Sequence, residues 1–491
     1  MGSMRFVHPS GCLPRESVEQ AYLAGYDRIP WRVRVRQEAD ELLVERENCD
    51  SGNLYVPWDV NGYGQITLAT ASLMERPEPY SLPIELARGK LSQLRNQTAE
   101  WELIGVEIPA KVREITSEAL RRFGEATCSQ QGEEAACEAA ADTLRLALDA
   151  GHVLAEAYAS QVLATRRETQ PEGVDSFVGA GLGATLLDEN TSARFLETFN
   201  AACIPFVWRE IEASQGCFYW DIADKQIEWC RRQGLRVCAG PLLVLDPWQL
   251  PEWMSDFDGD FDGVVACVSS YIQAVVGRYQ ESVDVWICSA RMNSSDELSL
   301  SEHERIRLTA RAVEVTQAVA PDAERIVSFD QPWGEYLSRS AADFSPLHFA
   351  DALVRARLGL TGLAIELNVG YQPGGSPSRD PLDTSRHLDY WSMLGVPLYL
   401  AVAFPSSSET DPLARRHASV QIGDCGPSCQ ADWADRFLPL FLAKPYVRGV
   451  LWSQLRDSEP HDFPRGGLFD ARRQPKEAVQ RIAEIRKKHL Q

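Results

Sequence analysis

Residues 200–253 read NAACIPFVWREIEASQGCFYWDIADKQIEWCRRQGLRVCAGPLLVLDPWQLPEW. This stretch contains a β run, an amphipathic helix, a second short apolar run, and the spaced motif Trp208-x-x-x-Glu212-x-x-x-Gly216-x-Phe218-x-Trp220. A strand, a helix and another strand within so few residues are typical of a β/α unit in a parallel sheet. The segment therefore predicts an α/β fold for the surrounding chain.

The same alternation of strand and helix continues through the C-terminal part of the chain. Helical patterns separate eight apolar runs, at residues 177–180, 204–208, 242–245, 283–287, 325–329, 363–367, 397–403 and 450–452. One helix should begin at the capping box Ser301-x-x-Glu304. Eight such units predict a (β/α)₈ TIM barrel. A doubly wound sheet is the second interpretation, and it is disfavoured because no Gly-rich phosphate loop follows the first run.

The N-terminal part has a different pattern. Residues 30–82 alternate apolar and polar side chains between turn signals, which predicts a small β-sandwich-like accessory domain over residues 1–82. Residues 83–170 then show helical spacing, with Leu86, Leu91 and Leu94 near one face. We therefore expect a helical connector over residues 83–170 and the barrel over residues 171–491.

Composition limits the classes of partner and location. The chain has 491 residues and a formal net charge of −21. That charge argues against nucleic acid or an anionic membrane surface as a partner. Twelve cysteines lie mostly among apolar neighbours, and no basic segment followed by an apolar run begins the chain, so we expect a cytoplasmic location. Cys425 and Cys429 are spaced for a local disulfide. We expect no metal site and no cofactor, and the sequence sets no oligomeric state.

The motif at Trp208 and the end of the chain together resemble glycoside hydrolase family 10, the xylanase family. Trp208 to Trp220 is similar to the Trp-x-x-x-Glu-Pro-x-x-Gly-x-Phe-x-Phe pattern of that family, with Ala213 in place of proline. The last unit, from Val447 to Lys476, resembles the final strand and the Leu-Phe-Asp…Pro-Lys-Pro ending of the family. The resemblance covers roughly residues 177–491 and implies a (β/α)₈ barrel that acts on glycosides.

The catalytic pair of that family is not carried over by the resemblance. Arg291 stands at the acid/base position after the fourth strand, and an arginine side chain does not release a proton at working pH. Val402 stands at the nucleophile position on the seventh strand. A different register would place Glu366 at the nucleophile position on the seventh strand. We prefer the first register, because Glu366 then lies on the sixth strand and all eight strands are accounted for.

We therefore expect the site residues at the C-terminal ends of the eight runs. We expect Glu366 and Asp330 to form a rebuilt carboxylate pair, with Arg291 orienting the substrate or forming a buried ion pair with Glu366. The remaining substrate-binding candidates are Asn293, Asn368, Asp246, Gln331, Trp248, Trp333, Trp452, Asp457 and His461. Simpler roles stay open for several of them: a helix cap for Asp330, a turn for Asp246, core packing for each tryptophan, and an exposed loop position for His461.

These residues fit more than one function. The leading interpretation is a carbohydrate-active enzyme, a glycoside hydrolase with a rebuilt site and a saccharide or glycoside ligand. A non-catalytic saccharide-binding protein on the same barrel is the alternative, and a structural scaffold is the third. The first two differ in whether two carboxyl groups face one cleft.

Overall fold

The computed structural model describes residues 2–128, 132–169, 176–295, 297–418, 426 and 428–490. The N-terminal part contains a short helix, α1 (Arg15–Gln20), and two small sheets. Their strands are β1 (Gly2–Val7), β2 (Tyr22–Ala24), β3 (Val33–Glu38), β4 (Glu41–Arg46), β5 (Asn53–Val60), β6 (Gly64–Ala69) and β7 (Tyr80–Ser81). The strand order is β3-β4-β1-β7 in one sheet and β2-β5-β6 in the other.

Three helices follow these sheets: α2 (Leu82–Leu103), α3 (Ala110–Cys128) and α4 (Glu133–Thr169). Leu86, Leu91 and Leu94 are all buried on α2, as their spacing predicts. Leu86 joins the core of the two sheets, whereas Leu94 packs into the core that continues into the barrel. The helices thus contribute to both cores. The proposed domain boundaries at residues 82 and 170 therefore stay predictions, and so does the β-sandwich.

The C-terminal part is a closed barrel of eight parallel strands, which confirms the predicted fold class. In barrel order its strands are β8 (Phe177–Gly181), β9 (Ala201–Ile204), β10 (Arg236–Ala239), β11 (Val285–Ala290), β12 (Glu324–Phe329), β13 (Gly362–Asn368), β15 (Leu398–Ala403) and β17 (Val447–Trp452). The pair β14 (Tyr371–Gln372) and β16 (His417–Ala418) forms a separate two-stranded sheet in the loops. Glu366 therefore lies on the sixth barrel strand and Val402 on the seventh.

Helices connect the barrel strands. They are α5 (Glu189–Thr198), α6 (Trp208–Ile211), α7 (Asp221–Arg232), α8 (Phe261–Tyr279), α9 (Glu302–Val319), α10 (Pro346–Ala356), α11 (Pro381–Ser392), α12 (Cys429–Ala443) and α13 (Glu477–His489). The capping box before α9 is confirmed. The Ser301 hydroxyl accepts from the Glu304 N–H, and the Glu304 carboxylate accepts from the Ser301 N–H.

The second and third barrel strands begin earlier than the apolar runs predict. Apart from Ile204, which ends β9, the runs at 204–208 and 242–245 follow the strands β9 and β10 rather than forming them. Each run begins next to a proline, Pro205 or Pro241, which has no N–H to donate to a β ladder. The residues beyond these prolines are apolar for another reason, because Phe206 and Leu242 pack into the buried core.

The opening motif forms a hydrogen-bonded clasp, which we define as Trp208, Glu212, Gly216 and Trp253. The Trp208 indole N–H donates to Glu212 Oε2 at 2.7 Å, and the Gly216 N–H donates to Glu212 Oε1 at 2.7 Å. The Trp253 indole N–H donates to the Glu212 carbonyl at 3.1 Å. Gly216 has φ +78°, a conformation that a side chain would strain. The carboxylate of Glu212 thus has both oxygens engaged inside the clasp.

Two buried cations connect the N-terminal part to the barrel. Lys90 of α2 forms an ion pair with Asp380, the N-cap of α11, at 2.6 Å, and the two side chains are 2% and 3% exposed. The Arg379 guanidinium donates to the Tyr22 hydroxyl at 2.9 Å and to Glu335 at 3.1 Å. It also lies 4.4 Å from the centroid of the Trp333 ring. Because both cations are buried, their partners fix how the two parts pack.

The cysteines that the structure describes are free thiols. Cys425 lies outside the described residues, so the local disulfide to Cys429 stays a prediction. Within the described ranges, no helix combines the length and the apolar character needed to cross a bilayer.

Replacing Lys90 by methionine should destabilise the protein. The change leaves the Asp380 carboxylate buried without its cation, which typically costs about 3–5 kcal/mol. Urea unfolding followed by circular dichroism measures the effect. The matched control is Arg15→Met, which breaks an exposed ion pair with Glu19. Equal midpoints for the two variants would contradict the role given to Lys90.

The same ion pair should make stability depend on acid. Burial acts to raise the pKa of Asp380, but Lys90 outweighs burial and lowers the pKa below its ordinary value. A lowered folded-state pKa contributes stability above the ordinary aspartate pKa, about 3.9, and that contribution is lost as pH falls through the folded-state pKa. We expect the wild type to lose more stability than Lys90→Met between pH 5 and pH 3, in urea titrations at each pH.

Candidate functional site

A cleft of about 390 Å³ opens at the C-terminal mouth of the barrel. Residues at or just beyond the ends of all eight barrel strands line it. This is where (β/α)₈ barrels hold their ligands, because the βα loops converge there. The deeper wall includes apolar side chains such as Val244 and Ile287, and charged groups lie among them.

The Arg291–Glu366 ion pair lies at the floor of this mouth cleft. Arg291 Nε donates to Glu366 Oε2 at 2.9 Å. The same oxygen accepts from the Asn368 amide at 2.8 Å, and Oε1 accepts from the Ser328 hydroxyl at 3.0 Å. The Glu366 side chain is only 6% exposed. Both carboxylate oxygens are therefore engaged, although Glu366 still borders the cleft.

Arg291 is also bound by a second carboxylate. Its Nη1 donates to Asp462 Oδ2 at 3.2 Å, and Arg415 donates to the other oxygen of Asp462 at 3.2 Å. Burial acts to lower the pKa of Arg291, but Glu366 and Asp462 outweigh it and raise the pKa above its ordinary value. Burial acts to raise the pKa of Asp462, whereas Arg291 and Arg416 bring it below the ordinary aspartate value. Both groups are thus held in their charged forms.

Asp330 lies outside the lining of the mouth cleft. Its carboxylate accepts hydrogen bonds from the Gln331 N–H at 2.9 Å and the Gly375 N–H at 3.2 Å, and Arg416 lies 3.7 Å away. Gly374 covers it so closely that a Cβ at that position would lie 2.5 Å from Asp330 Oδ2. The structure therefore does not bring Asp330 and Glu366 together in one cleft, and a catalytic role for Asp330 stays a prediction.

The amide side chains behave as supports for these acids. The Asn293 amide donates to the Asp330 carbonyl at 3.0 Å, and Asn368 donates to Glu366. Both asparagines are fully buried. Gln331, by contrast, lines a separate cavity beside the mouth cleft. None of the three borders the mouth cleft, so their substrate-binding roles also stay predictions.

The three candidate tryptophans have different surroundings. Trp248 is 55% exposed, and the Arg415 guanidinium lies 5.3 Å from its ring centroid. Trp452 borders the cleft but is buried, and its indole N–H donates to the Gly466 carbonyl at 2.9 Å. Trp333 stacks on His387 at 4.3 Å near the junction with the N-terminal part. Of these, Trp248 alone presents a large exposed ring.

The remaining candidates take part in local hydrogen-bond networks. Asp246 accepts from the Trp248 N–H at 2.8 Å, which is the turn expected as its simpler role. Asp457 is bonded to Lys476 at 2.6 Å, and His461 lies 3.2 Å from Asp411. Asp411, Asp457 and His461 are close enough to share a cation, but the Lys476 ammonium already neutralises Asp457. This cluster is therefore described as an ion-pair network.

Sequence reasoning missed two charged residues of the cleft, Asp462 and Arg415. Both come from long loops with no periodic pattern, so no signal marked them. Glu210, in the short helix α6 after the second strand, lines the cleft without an ion pair or hydrogen bond of its carboxyl group within the described residues. Burial raises the pKa of Glu210, and Glu459 adds to the effect, although Arg415 opposes it.

Comparison with known structures identifies xylanases among the similar folds. Native xylanase 10B from Thermotoga maritima is 16% identical, with a TM-score of 0.49, over 64% of this chain and 95% of that chain. Xylanase 10B from Thermotoga petrophila RKU-1 in complex with xylobiose is 16% identical, with a TM-score of 0.48, over 68% and 96%. A family 10 xylanase of Thermobacillus composti is 19% identical, with a TM-score of 0.45, over 63% and 96%.

The sequence profile described as Glycosyl hydrolase family 10 matches residues 186–293. The matched segment contains the clasp and ends just after the strand that carries Arg291. The C-terminal part of the chain is thus a closed eight-stranded barrel that is similar to glycoside hydrolase family 10 over residues 186–293.

Proposed function

We propose that the chain binds a saccharide in the mouth cleft and does not hydrolyse it through a pair of carboxyl groups. The observation that carries this proposal is the engagement of Glu366, whose two oxygens are taken up by Arg291, Ser328 and Asn368. Hydrolysis of the usual kind needs one carboxylic acid and one carboxylate beside the scissile bond. Arg291 stands where the resemblance places the acid, and its guanidinium stays protonated.

The surroundings of the cleft support a saccharide as the ligand. The exposed Trp248 ring lies at the edge of the cleft, outside the lining itself but against the lining residue Arg415. It offers an apolar face, and sugar rings stack on aromatic faces while their hydroxyl groups reach polar partners. Charged and amide side chains around the rim provide such partners. The family 10-like frame favours the same ligand class by analogy.

The charge balance of the mouth supports a neutral sugar. Each of three arginines that line the cleft faces a carboxylate: Arg291 faces Glu366, Arg415 faces Asp462, and Arg456 faces Glu459. A ligand carboxylate would have to compete with these acids for their arginines. A neutral sugar makes no such demand, so xylo-, cello- and manno-oligosaccharides form the first panel to test.

Replacing Trp248 by alanine should weaken binding of the tightest oligosaccharide in that panel about five- to tenfold. The change removes the exposed stacking face, worth roughly 1 kcal/mol. Isothermal titration calorimetry gives the affinity. Tyr219→Ala is the matched control, because Tyr219 is also an exposed aromatic residue but, unlike Trp248, does not adjoin the lining residues Gln249 and Arg415. Equal losses in both variants would remove Trp248 from the site.

We expect neither wild type nor Glu366→Gln to release new reducing ends from the panel. Glu366→Gln should instead lower the thermal midpoint, because the buried Arg291 loses part of its counter-charge. Turnover by the wild type that falls about a thousandfold in Glu366→Gln would contradict the binding proposal and make Glu366 catalytic. Asp330→Asn is the matched control for Glu366→Gln, because Asp330 is also a buried carboxylate but lies outside the cleft lining.

A second candidate function is hydrolysis with Glu210 as the general acid and Glu366 as the ionised partner. The observation that favours it is the raised pKa of the unpaired Glu210 carboxyl group, which lines the same cleft as Glu366. Environments that separate two carboxyl groups into an acid and a carboxylate are the pattern of glycosidases.

If the wild type shows turnover, this candidate expects Glu210→Gln to reduce it by about 10²–10⁴-fold, the usual contribution of a general acid. The rate should also fall as pH rises through the raised pKa of Glu210, because only the protonated form donates. Initial rates measured between pH 4 and pH 9 show whether the rate falls at high pH. If Glu210→Gln keeps the wild-type rate, or keeps the same fall at high pH, Glu210 is not the general acid.

A further inference from the structure

A second cavity of about 440 Å³ lies beside the mouth cleft, between the barrel loops and the N-terminal part. Its walls are the loop 370–377 after the sixth strand, the turn of 3₁₀ helix Glu335–Ser338 with the residues after it, and Gln20 at the end of α1. The volume falls within the range of about 300–1,000 Å³ typical of small-molecule sites.

Three buried oxygen atoms on residues that line this cavity have no partner. They are Gln20 Oε1, Glu335 Oε2 and Ser376 Oγ. The other oxygen of Glu335 accepts from Arg379, and Ser376 is only 2% exposed. Buried polar atoms nearly always have partners, so three without one around a single cavity indicate that something else completes them.

The charges around the second cavity indicate which ligand fits. Arg339 lines it, and its guanidinium forms no ion pair or hydrogen bond within the described residues. Glu335 lines it as well. A cation would be opposed by Arg339 and an anion by Glu335. A neutral polyol both donates and accepts hydrogen bonds, so its hydroxyl groups suit the three orphan oxygens and the amide and guanidinium donors together.

The end of the fifth barrel strand connects the linings of the two cavities. Ser328 borders the mouth cleft, and Gln331, three residues later along the chain, borders the second cavity. Between them lie Asp330 and the Gly374–Gly375 turn, and the Gly375 N–H donates to the Asp330 carboxylate. The two cavities are therefore neighbours with separate polar linings.

We propose that the second cavity is a saccharide subsite for a neutral pyranose unit, and that the N-terminal part completes it through Gln20. The inference rests on the proposed function, in that the ligand class is the same. It adds a second place of binding outside the mouth cleft and a role for the N-terminal part.

The test is calorimetric titration of the full chain with xylobiose, cellobiose and mannobiose, and with glucuronic acid as a charged arm. Ser376→Ala and Gln20→Ala should weaken one binding event about three- to tenfold, the effect of losing one hydrogen bond. Neither should lower the thermal midpoint, because the oxygens removed have no partner in the protein. Ser385→Ala is the matched control, since Ser385 carries a buried orphan hydroxyl outside the cavity.

Trp248→Ala distinguishes binding in the second cavity from binding in the mouth cleft. Two events, one weakened by Ser376→Ala and Gln20→Ala and the other by Trp248→Ala, support both sites. A single event that only Trp248→Ala weakens overturns the second subsite and leaves the proposed function. A single event that only Ser376→Ala and Gln20→Ala weaken supports the subsite and overturns the mouth cleft. Absence of binding overturns both, and binding of glucuronic acid alone overturns the neutral ligand class.

Discussion

The buried ion pair of Arg291 with Glu366 determines the organisation of the barrel mouth. A cation placed directly after the fourth strand, where water is largely excluded, is strongly unfavourable without a counter-charge. Glu366 provides that charge from the sixth strand, and Asp462 adds a second from the last loop. Asp462 in turn is bound by Arg415, so the ion pairs extend from the floor to the rim. The charged residues of the cleft are thus arranged around the guanidinium of Arg291, whose charge Glu366 and Asp462 compensate.

Much of the fold could be predicted from the sequence, because barrel strands and amphipathic helices differ in period. The misplaced second and third strands show the limit of that reasoning. Apolar runs beyond Pro205 and Pro241 resemble strands, yet they are buried as loops that pack into the core. Hydrophobicity alone does not distinguish these cases, since both environments exclude water. The packing of Arg379 and Lys90 onto partners far along the chain was likewise invisible in local patterns.

The candidate site was predictable where strand period applies. Glu366 and Asn368 are two residues apart on one strand, so they share a face, and their side chains are hydrogen-bonded. The pairing of Glu366 with Arg291 was one of two roles considered, because both follow from positions at strand ends. The cover over Asp330 was not predictable, since it depends on the Gly374–Gly375 turn some 45 residues away. Arg415 lies in a loop, where the spacing of residues along the sequence does not indicate where a side chain points.

The clasp around Glu212 has a consequence for how relatives of this chain are recognised. Its tryptophans, glutamate and glycine bond to one another and hold the loop after the second strand in shape. Selection for folding alone is enough to preserve them, whatever happens at the mouth. A search that recruits sequences through this segment will therefore collect common ancestry rather than common chemistry. The profile match over residues 186–293 includes the clasp but none of the residues that the fifth to eighth strands bring to the mouth.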